Sequence, residues 1–400
     1  MTVSRRTFVA GAVAAALTRP ASLSSMTDQV PDTTERFDPW LEVDAAALRY
    51  NVGVVSRLAG GRPILAVIKN NAYGLGLTTV ASILAGLPEI MGFAVVKTEA
   101  AVALRDAGIS KPVLLMALFS ESDGADLVAR NIDLILGTDD SGERVARAAR
   151  QAGRPARVHI YMDTGMSRMG IPYHRAISWL EDVAPLGLDV QSTFMGFTEK
   201  PDFDPEQLRR FNEVTATAKE RGFELGALHA ASSNGVYHLP EAHLDLVRPG
   251  IALYGAYPSD AETEHAKAEL HPAVSLRARI VRVERLRTGD TVSYGGNYTA
   301  ERPTWIATVP VGHTDGYPRQ AVRGAKILVN GTLYPAIGAV SASHTIIELG
   351  EEPDVSIGDV ATLLGPDDPA IGPNALAAAT DGSVYDILMH LNPGLPKVLV

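Results

Sequence analysis

The sequence predicts an α/β barrel, TIM-like with eight parallel strands, followed by a mostly β C-terminal domain. Two observations lead to this prediction. Between about residues 38 and 259, short apolar runs alternate with segments whose apolar residues recur every three or four positions. Beyond that point the runs are β-branched and are separated by Gly, Asn, Asp and Pro, with no long helical pattern before residues 385–391. Eight alternations favour a closed parallel barrel over an open sheet.

Each predicted barrel strand is a short apolar run, and helical segments lie between the runs. One such helix covers residues 205–221, where Pro205 stands in the first helical turn, a position that tolerates proline. The polar stretch 258–271, rich in Ala and Glu, is typical of a linker. We therefore assign residues 38–262 to the barrel and residues 263–400 to the β domain. The barrel strands are predicted at 64–69, 92–96, 113–117, 133–136, 158–162, 190–197, 225–230 and 246–248, and the later strands at 274–286, 304–311, 326–329, 346–349 and 360–364.

Composition excludes several classes of protein. A chain of 400 residues with 46% hydrophobic and 20% charged residues has enough apolar material for a large core, which excludes a mainly disordered chain. Its formal net charge of −10 makes nucleic acid and anionic membrane unfavourable partners, because their phosphates repel such a surface. The absence of cysteine excludes disulfides, thiolate metal sites and cysteine nucleophiles.

The N-terminus has the features of an export signal. Arg5 and Arg6 precede an apolar run at residues 8–17, and no acidic residue occurs before Asp28. A membrane anchor is the alternative, but the run is shorter than the roughly 20 residues that a transmembrane helix needs. We interpret residues 1–25 as a Tat-type signal peptide, which predicts a periplasmic or secreted mature protein that is free of the membrane.

Two segments that follow barrel strands carry candidate site residues. Lys69, in A-V-I-K-N-N-A-Y-G, comes directly after an apolar run, at the rim where barrel enzymes keep their sites. A partly desolvated lysine there has a lowered pKa and can form a Schiff base with an aldehyde, whereas a solvated lysine is the simpler interpretation. Arg168, in D-T-G-M-S-R-M-G, can bind a carboxylate through two hydrogen bonds or can simply be solvated.

Three later segments carry further candidates. H-A-A-S-S-N-G and R-P-G-I-A-L-Y-G follow the seventh and eighth runs, where barrels commonly bind phosphate through amides and hydroxyls. Ser233 and the Gly250 amide suit that role, and Arg248 keeps its proton beside any ligand; a Gly/Ser-rich turn with a structural arginine is the simpler reading. Tyr294, in V-S-Y-G-G-N-Y of the β domain, is either a packing residue or, beside a cationic group, a base.

In this order and spacing, the segments resemble the alanine racemase family of pyridoxal 5'-phosphate enzymes, from about residue 40 to residue 400. The resemblance implies a homodimer in which each site takes its tyrosine from the other subunit's β domain. It implies that Lys69 bears the cofactor and acts as one base, and that Tyr294 is the base on the opposite face, as inversion requires. The other roles that it implies are Arg248 against the pyridine nitrogen, Arg168 beside the substrate carboxylate, and Tyr73, Ser233, Gly250, Ile251 and Tyr385 around the phosphate, with His229 nearby.

Departures from the family pattern surround one cavity. The family's carbamylated lysine is Tyr161 here, its histidine near the cofactor ring falls at Gly196, and its methionine beside the substrate becomes Ala342. Its entrance tyrosine becomes His313. Most of these changes replace large side chains with small ones or alter polarity, so they open the cavity. The sequence thus predicts a racemase for amino acids larger than alanine, similar to exported broad-specificity racemases, with Ala342 and His313 at the substrate.

Other chemistries on this scaffold are alternatives. Basic-amino-acid decarboxylases pair an acidic residue with the pyridine nitrogen and use a cysteine, whereas this chain has Arg248 and no cysteine. Metal-dependent aldolases hold a divalent ion with a C-terminal His and Cys cluster, which this sequence lacks, so we expect no metal. A lyase or retro-aldolase with the same cofactor and a non-catalytic protein that binds the cofactor or an amino acid are the remaining alternatives. The joint presence of Lys69, Tyr294 and Arg248 favours an enzyme.

Overall fold

The computed structural model describes residues 35–259 and 261–400, so the predicted signal peptide at residues 1–25 lies outside the described residues. The first domain is a parallel barrel whose strands follow one another in chain order. Helices lie between successive strands, as the alternating pattern predicted. The barrel strands are Ile64–Val67, Ile90–Val95, Val113–Leu115, Ile132–Leu136, Arg157–Asp163, Asp189–Phe194 and Ala227–His229. The helices of this domain and of the linker after it are Ala45–Leu58, Leu77–Ala85, Thr98–Asp106, Glu121–Ala129, Ser141–Ala152, Ala176–Val183, Asp204–Glu220, Ser233–His238 and Ala261–Lys267.

The eighth position of the barrel is a short bridge rather than a full strand. The amide of Asp245 donates to the carbonyl of Leu228 at 3.0 Å, and the amide of Leu65 donates to the carbonyl of Val247 at 2.9 Å. These bonds join the last strand to the first, so the barrel closes. Pro249 has no N–H to extend the ladder, which explains why the pairing is so short.

Side chains alternate between the inside of the barrel and the helices around it, because strands have a period of two. The inward residues form a compact apolar cluster of Leu65, Val67, Ala94, Leu114, Ile135, Tyr161, Phe194 and Leu246. The outward residues pack against the helices in the larger core. In residues 35–259 and 261–400, no helix has the length and apolarity to cross a membrane.

The second domain is built on a nine-stranded, mostly antiparallel sheet. Its C-terminal part also contains the two short helices Pro373–Ala379 and Val384–Met389. Two short strands, Thr291–Val292 and Tyr298–Thr299, pair separately. The strands of the large sheet that follow the barrel are Val274–Arg279, Arg282–Leu286, Thr304–Val309, Lys326–Val329, Thr332–Ile337, Thr345–Gly350, Val360–Leu364 and Lys397–Leu399.

The structure corrects the sequence assignment at several strands. The predicted strand 274–286 is divided into Val274–Arg279 and Arg282–Leu286. Trp40–Val43, which we placed in the barrel, pairs with Val274–Arg279 and with Lys397–Leu399 in the β-domain sheet. A four-residue strand does not reveal which sheet it joins, because pairing depends on residues more than 200 positions away. The strand Thr332–Ile337 was missed because it contains Pro335, which argues against a strand.

Candidate active site

A cavity of about 510 Å³ opens at the carboxyl ends of the barrel strands, where barrel enzymes place their sites. Most of the residues predicted from the sequence meet here, although they are spread over more than 300 positions of the chain. Those that line the cavity are Lys69, Tyr73, Arg168, Ser233, Arg248, Gly250, Ile251 and Tyr385. Tyr385 comes from the β domain, so both domains build this cavity.

Lys69 stands at the mouth of the barrel because the strand Ile64–Val67 ends two residues earlier. The chain then makes a left-handed turn, with φ between 52° and 55° at residues 70–73. The side chain of Asn71 supports this turn by accepting the amide hydrogen of Leu77 at 2.9 Å. A run of left-handed non-glycine residues is costly, and such strain is concentrated at functional sites.

The Lys69 amine is partly desolvated at the cavity wall. Burial and then the positive charge of Arg168 lower the pKa of Lys69, whereas the carboxylate of Glu199 acts in the opposite direction. Because only the neutral amine can attack a carbonyl, a lowered pKa increases the reactive fraction at neutral pH.

Polar groups that suit an anion lie together in the cavity that Lys69 also lines. The amides of Gly250 and Ala252 both donate to Ser233 Oγ, at 3.0 and 3.2 Å. The Tyr73 hydroxyl reaches the same place, since a Cβ added at Gly250 would lie 2.2 Å from it. The Tyr73 ring is held against Tyr254, with 4.5 Å between ring centroids. Amides, a serine hydroxyl and a phenol around one point suit a phosphate.

Arg248 is a buried cation at the floor of the cavity. Its two terminal nitrogens donate to His229 Nδ1 and to the carbonyl of Met195, each at 2.6 Å. Its guanidinium lies over the Phe194 ring, 4.9 Å from the centroid. Burial lowers the pKa of Arg248 to about 10, so it remains protonated at neutral pH. Within the described residues no carboxylate contacts this cation. His229 is fully buried behind Arg248 and does not line the cavity.

Arg168 stands at the end of a loop that Asp163 organises. One carboxylate oxygen of Asp163 accepts the amide hydrogens of Gly165, Met166 and Ser167, at 2.9 to 3.0 Å. Arg168 is exposed to the cavity, and in the described part of the chain it forms no ion pair. A cationic side chain held in this way is available to bind the carboxylate of a ligand.

Tyr161 and Gly196 share one part of the cavity wall. Tyr161 is buried and stacks on Phe194, with ring centroids 4.5 Å apart. A Cβ built at Gly196 would lie 3.4 Å from the Tyr161 hydroxyl, which is already van der Waals contact. The two departures from the family pattern are therefore spatial neighbours.

Glu199 lines the cavity and was not singled out from the sequence. Desolvation at the cavity wall raises the pKa of Glu199, and a hydrogen bond of 3.2 Å from the Ser232 hydroxyl lowers it. Its φ of 59° is unusual for a residue other than glycine. The only feature of the sequence that could have identified Glu199 is its position, five residues after the strand Asp189–Phe194 and thus at the carboxyl ends of the barrel strands.

Besides His229, three predicted residues do not line this cavity in the single chain. Tyr294 is 77% exposed in a glycine-flanked turn, and Ser293 Oγ ties that turn to the carbonyl of Ala339. His313 and Ala342 lie close together, because Thr314 donates its amide and hydroxyl hydrogens to the carbonyl of Ala342. All three belong to the β domain. Among residues 35–259 and 261–400, no group of His, Asp or Glu is arranged to hold a metal ion.

The fold and the cavity define a two-domain barrel enzyme whose site combines a reactive lysine, a buried arginine and an anion cradle. Residues 43–258 match the family model described as "Alanine racemase, N-terminal domain", and residues 273–399 match "Alanine racemase, C-terminal domain". The chain belongs to the alanine racemase family and is an amino-acid racemase of that type.

Individual relatives support this assignment along nearly the whole chain. The alanine racemase of Desulforamulus reducens is 33% identical over 371 residues, which are 90% of this chain and 98% of that protein. The alanine racemase of Xanthomonas oryzae pv. oryzae is 37% identical over 360 residues, with 90% and 95% covered. Among solved structures, the alanine racemase of Streptomyces lavendulae superposes with a TM-score of 0.84 at 30% identity and covers 91% of this chain and 97% of that one.

Proposed function

We propose that this chain binds pyridoxal 5'-phosphate and interconverts L- and D-amino acids, including amino acids larger than alanine, by proton transfer on both faces of Cα. The observation that carries the proposal is the convergence of Lys69, Arg248 and the cradle around Ser233 in one cavity. The family as a whole uses this cofactor.

The residues present fit the cofactor group by group. Lys69 is a partly desolvated amine that can attack its aldehyde. The two amides that converge on Ser233 Oγ, with the Tyr73 hydroxyl beside them, suit its phosphate. Arg248 has no carboxylate neighbour among the described residues and presents a permanent donor to the cavity. When bound, pyridoxal phosphate makes the α-proton of an attached amino acid more acidic.

Inversion requires a proton to leave one face of Cα and to return on the other. Lys69 supplies a base on one face, because its lowered pKa increases the fraction of neutral amine that can accept a proton. We assign the opposite base to the phenol of Tyr294 from a second copy of the chain. Its 77% exposure and its absence from the cavity of its own chain are what this arrangement requires. The active protein is therefore a homodimer with shared sites.

Arg248 and Arg168 orient the ligand and limit side reactions. If the pyridine nitrogen of the cofactor faced Arg248, the guanidinium would keep it unprotonated, since a guanidinium donates a hydrogen bond and does not give up its proton. Arg248 would in this way disfavour transamination. Arg168 holds the substrate carboxylate at the mouth of the cavity, where its charge has no ion-pair partner in the described chain.

The substrate range rests on the small residues at this site. Gly196 leaves part of the wall without a side chain beside Tyr161, and Ala342 is a small, exposed residue of the β domain. We propose that these positions admit side chains that a methionine at 342 would exclude. Export through the Tat route is a further proposal, supported by Arg5 and Arg6 before the apolar run at residues 8–17.

The test uses purified protein loaded with pyridoxal phosphate and incubated separately with L-alanine, L-serine, L-lysine, L-arginine, L-methionine and L-glutamate. Chiral chromatography measures the D-enantiomer, and mass spectrometry measures aldehyde and keto products. The proposal predicts that the D-enantiomer forms, and that at least one amino acid with a long side chain is racemised as fast as alanine. Cleavage products without D-enantiomer would identify a lyase, and cofactor binding without turnover would identify a binding protein.

A further inference from the structure

A chain of hydrogen bonds runs through the inside of the barrel and ends at Arg248. Asp133, His159, Ser192, His229 and Arg248 come from successive positions around the barrel, one from each strand or bridge. All five are at most 8% exposed. We call these five residues the interior relay.

Every link of the interior relay has hydrogen-bond geometry. Arg248 contacts His229 Nδ1 at 2.6 Å, and His229 Nε2 contacts Ser192 Oγ at 2.7 Å. Ser192 Oγ contacts His159 Nδ1 at 2.5 Å, and His159 Nε2 contacts Asp133 Oδ2 at 3.2 Å. Arg157 then donates to the other oxygen of Asp133 at 2.7 Å, at the amino ends of the strands. The relay thus runs through the barrel from the amino ends of the strands to the cavity.

The chemistry of the two end groups determines which partner donates in every hydrogen bond of the relay. A guanidinium can only donate, so His229 Nδ1 must accept and His229 carries its hydrogen on Nε2. Ser192 therefore accepts from His229, and its single hydroxyl hydrogen must go to His159 Nδ1. His159 then carries its hydrogen on Nε2 and donates it to the carboxylate of Asp133. All four donors point the same way.

The electrostatic environment agrees with this direction. Burial lowers the pKa of His229 well below its usual value, and the positive charge of Arg248 lowers it further, so His229 is neutral. Burial raises the pKa of Asp133, but hydrogen bonds from His159 and Arg157 outweigh burial, so the net pKa of Asp133 is lowered. The relay therefore has a cation at the cavity, a neutral imidazole next to it and an anion at the far end.

We propose that Asp133, His159 and Ser192 are positioning residues for the racemase reaction, which hold Arg248 in one orientation and supply its counter-charge through aligned hydrogen bonds. A buried charge without a neighbouring opposite charge is costly unless fixed dipoles compensate it. The four aligned donors are such dipoles, and they end on the carboxylate of Asp133. This inference rests on the proposed function only in its last step, the effect on catalysis.

The first test determines the protonation and tautomer of His159 and His229 in the protein without cofactor. Nitrogen-15 spectra of histidine-labelled protein distinguish the two neutral tautomers, and the variants His159→Asn and His229→Asn assign the signals. We expect His229 to be neutral and both histidines to carry a hydrogen on Nε2, with N–H protons that exchange slowly. In Ser192→Ala the His229 N–H loses its acceptor and should exchange faster, and Ser192→Thr should restore protection. An Nδ1–H tautomer or a doubly protonated His229 would overturn the inference.

The second test uses the enzyme with pyridoxal phosphate. Ser192→Ala should lower kcat by about tenfold with KM changed less than about twofold, as expected for loss of a positioning contact. It should also shift the absorbance of the bound cofactor, and Ser192→Thr should recover both properties. The matched control is Thr193→Val, which removes a buried hydroxyl that bonds to the Leu225 carbonyl, outside the relay. If Ser192→Ala and Thr193→Val have the same kcat and spectrum, the relay has no positioning role.

Failure of the relay and failure of the proposed function give different results. If the wild-type protein does not racemise any amino acid, the proposed function is wrong, while the tautomers still test the relay. If the wild type racemises but the histidines have other tautomers, only the relay is wrong. Asp133→Asn provides an independent variant at the far end, and it should change kcat in the same direction as Ser192→Ala.

Discussion

Gly250→Ala is the substitution whose effect can be worked out most directly from the structure. The new Cβ would lie 2.2 Å from the Tyr73 hydroxyl oxygen and 3.0 Å from the ring carbon that bears it, whereas 3.4 Å is an ordinary contact. The hydroxyl must therefore retreat by about 1 Å. It has little room, because Tyr73 is 2% exposed and its ring stacks on Tyr254.

Two quantities should change in Gly250→Ala. Overpacking of a buried site lowers the free energy of unfolding by about 1–3 kcal/mol. Displacing the Tyr73 hydroxyl removes one hydrogen bond to the phosphate, worth about 1.5–3 kcal/mol, so the Kd for pyridoxal phosphate should rise about 10- to 100-fold. Urea unfolding of the apoprotein measures the first change, and absorbance titration with the cofactor measures the second.

The matched control is Gly86→Ala. Gly86 has ordinary helical dihedrals, with φ −76° and ψ −10°, and a Cβ there meets nothing within 4 Å. The free energy of unfolding of the Gly86→Ala variant should differ from that of the wild type by less than about 0.5 kcal/mol. In a double-mutant cycle, Tyr73→Phe should reduce the cost of Gly250→Ala by about 1 kcal/mol, because it removes the closest atom. Additive effects, or an unchanged Kd in Gly250→Ala, would refute the proposed geometry of the cradle.

Three further predictions concern the shared site, the reactive lysine and the substrate range. Lys69→Ala and Tyr294→Phe should each be inactive. Refolding an equal mixture of the two variants should restore about a quarter of wild-type activity, because about half of the dimers are hybrids and each hybrid has one intact site. No recovery of activity would exclude shared sites. The rate of cofactor capture by the apoprotein should rise with pH at a midpoint below that of a free lysine. Arg168→Leu should raise this midpoint and Glu199→Gln should lower it, as measured by stopped-flow absorbance. Shifts of the opposite sign would contradict the effects assigned to these two charges on the pKa of Lys69. Ala342→Met should reduce turnover of L-lysine more than that of L-alanine, and equal losses would count against a substrate site at Ala342.

Much of the active site was predictable because a barrel places its strand ends on one rim. Once Lys69 and Arg248 were assigned to the ends of the first and eighth runs, their meeting in one cavity followed from topology. The eight runs were recognisable because buried parallel strands are continuous apolar stretches. The family resemblance added the roles of these residues, which spacing alone does not provide.

The interior relay was not predictable from the sequence. Asp133 and His159 stand in apolar strands where a single polar residue has no obvious partner. Which residues meet inside a barrel depends on the stagger between strands, and hydrogen bonds between residues 19 to 37 positions apart leave no pattern in the chain. Trp40–Val43 was misassigned for the same reason, since its partners are distant in sequence.

The hairpin of Lys326–Val329 and Thr332–Ile337 shows a different kind of error. Asn330 and Gly331 have φ values of 50° and 77°, as a tight hairpin turn between two strands requires. That turn signal is present in the sequence, but the second strand contains Pro335, and proline is unfavourable inside a strand. Pro335 is tolerated where no hydrogen bond from its nitrogen is needed.

The most direct test of two-base racemisation is the position of solvent deuterium early in the reaction. The wild-type enzyme with pyridoxal phosphate would be incubated with protiated L-lysine or L-alanine in deuterium oxide and stopped below about one tenth of equilibrium conversion. Bases on opposite faces, Lys69 and Tyr294, predict a D-product that carries one α-deuterium while the remaining L-substrate keeps its α-proton. D-product that retains the substrate proton, or L-substrate that exchanges as fast as D-product forms, would contradict a base on each face.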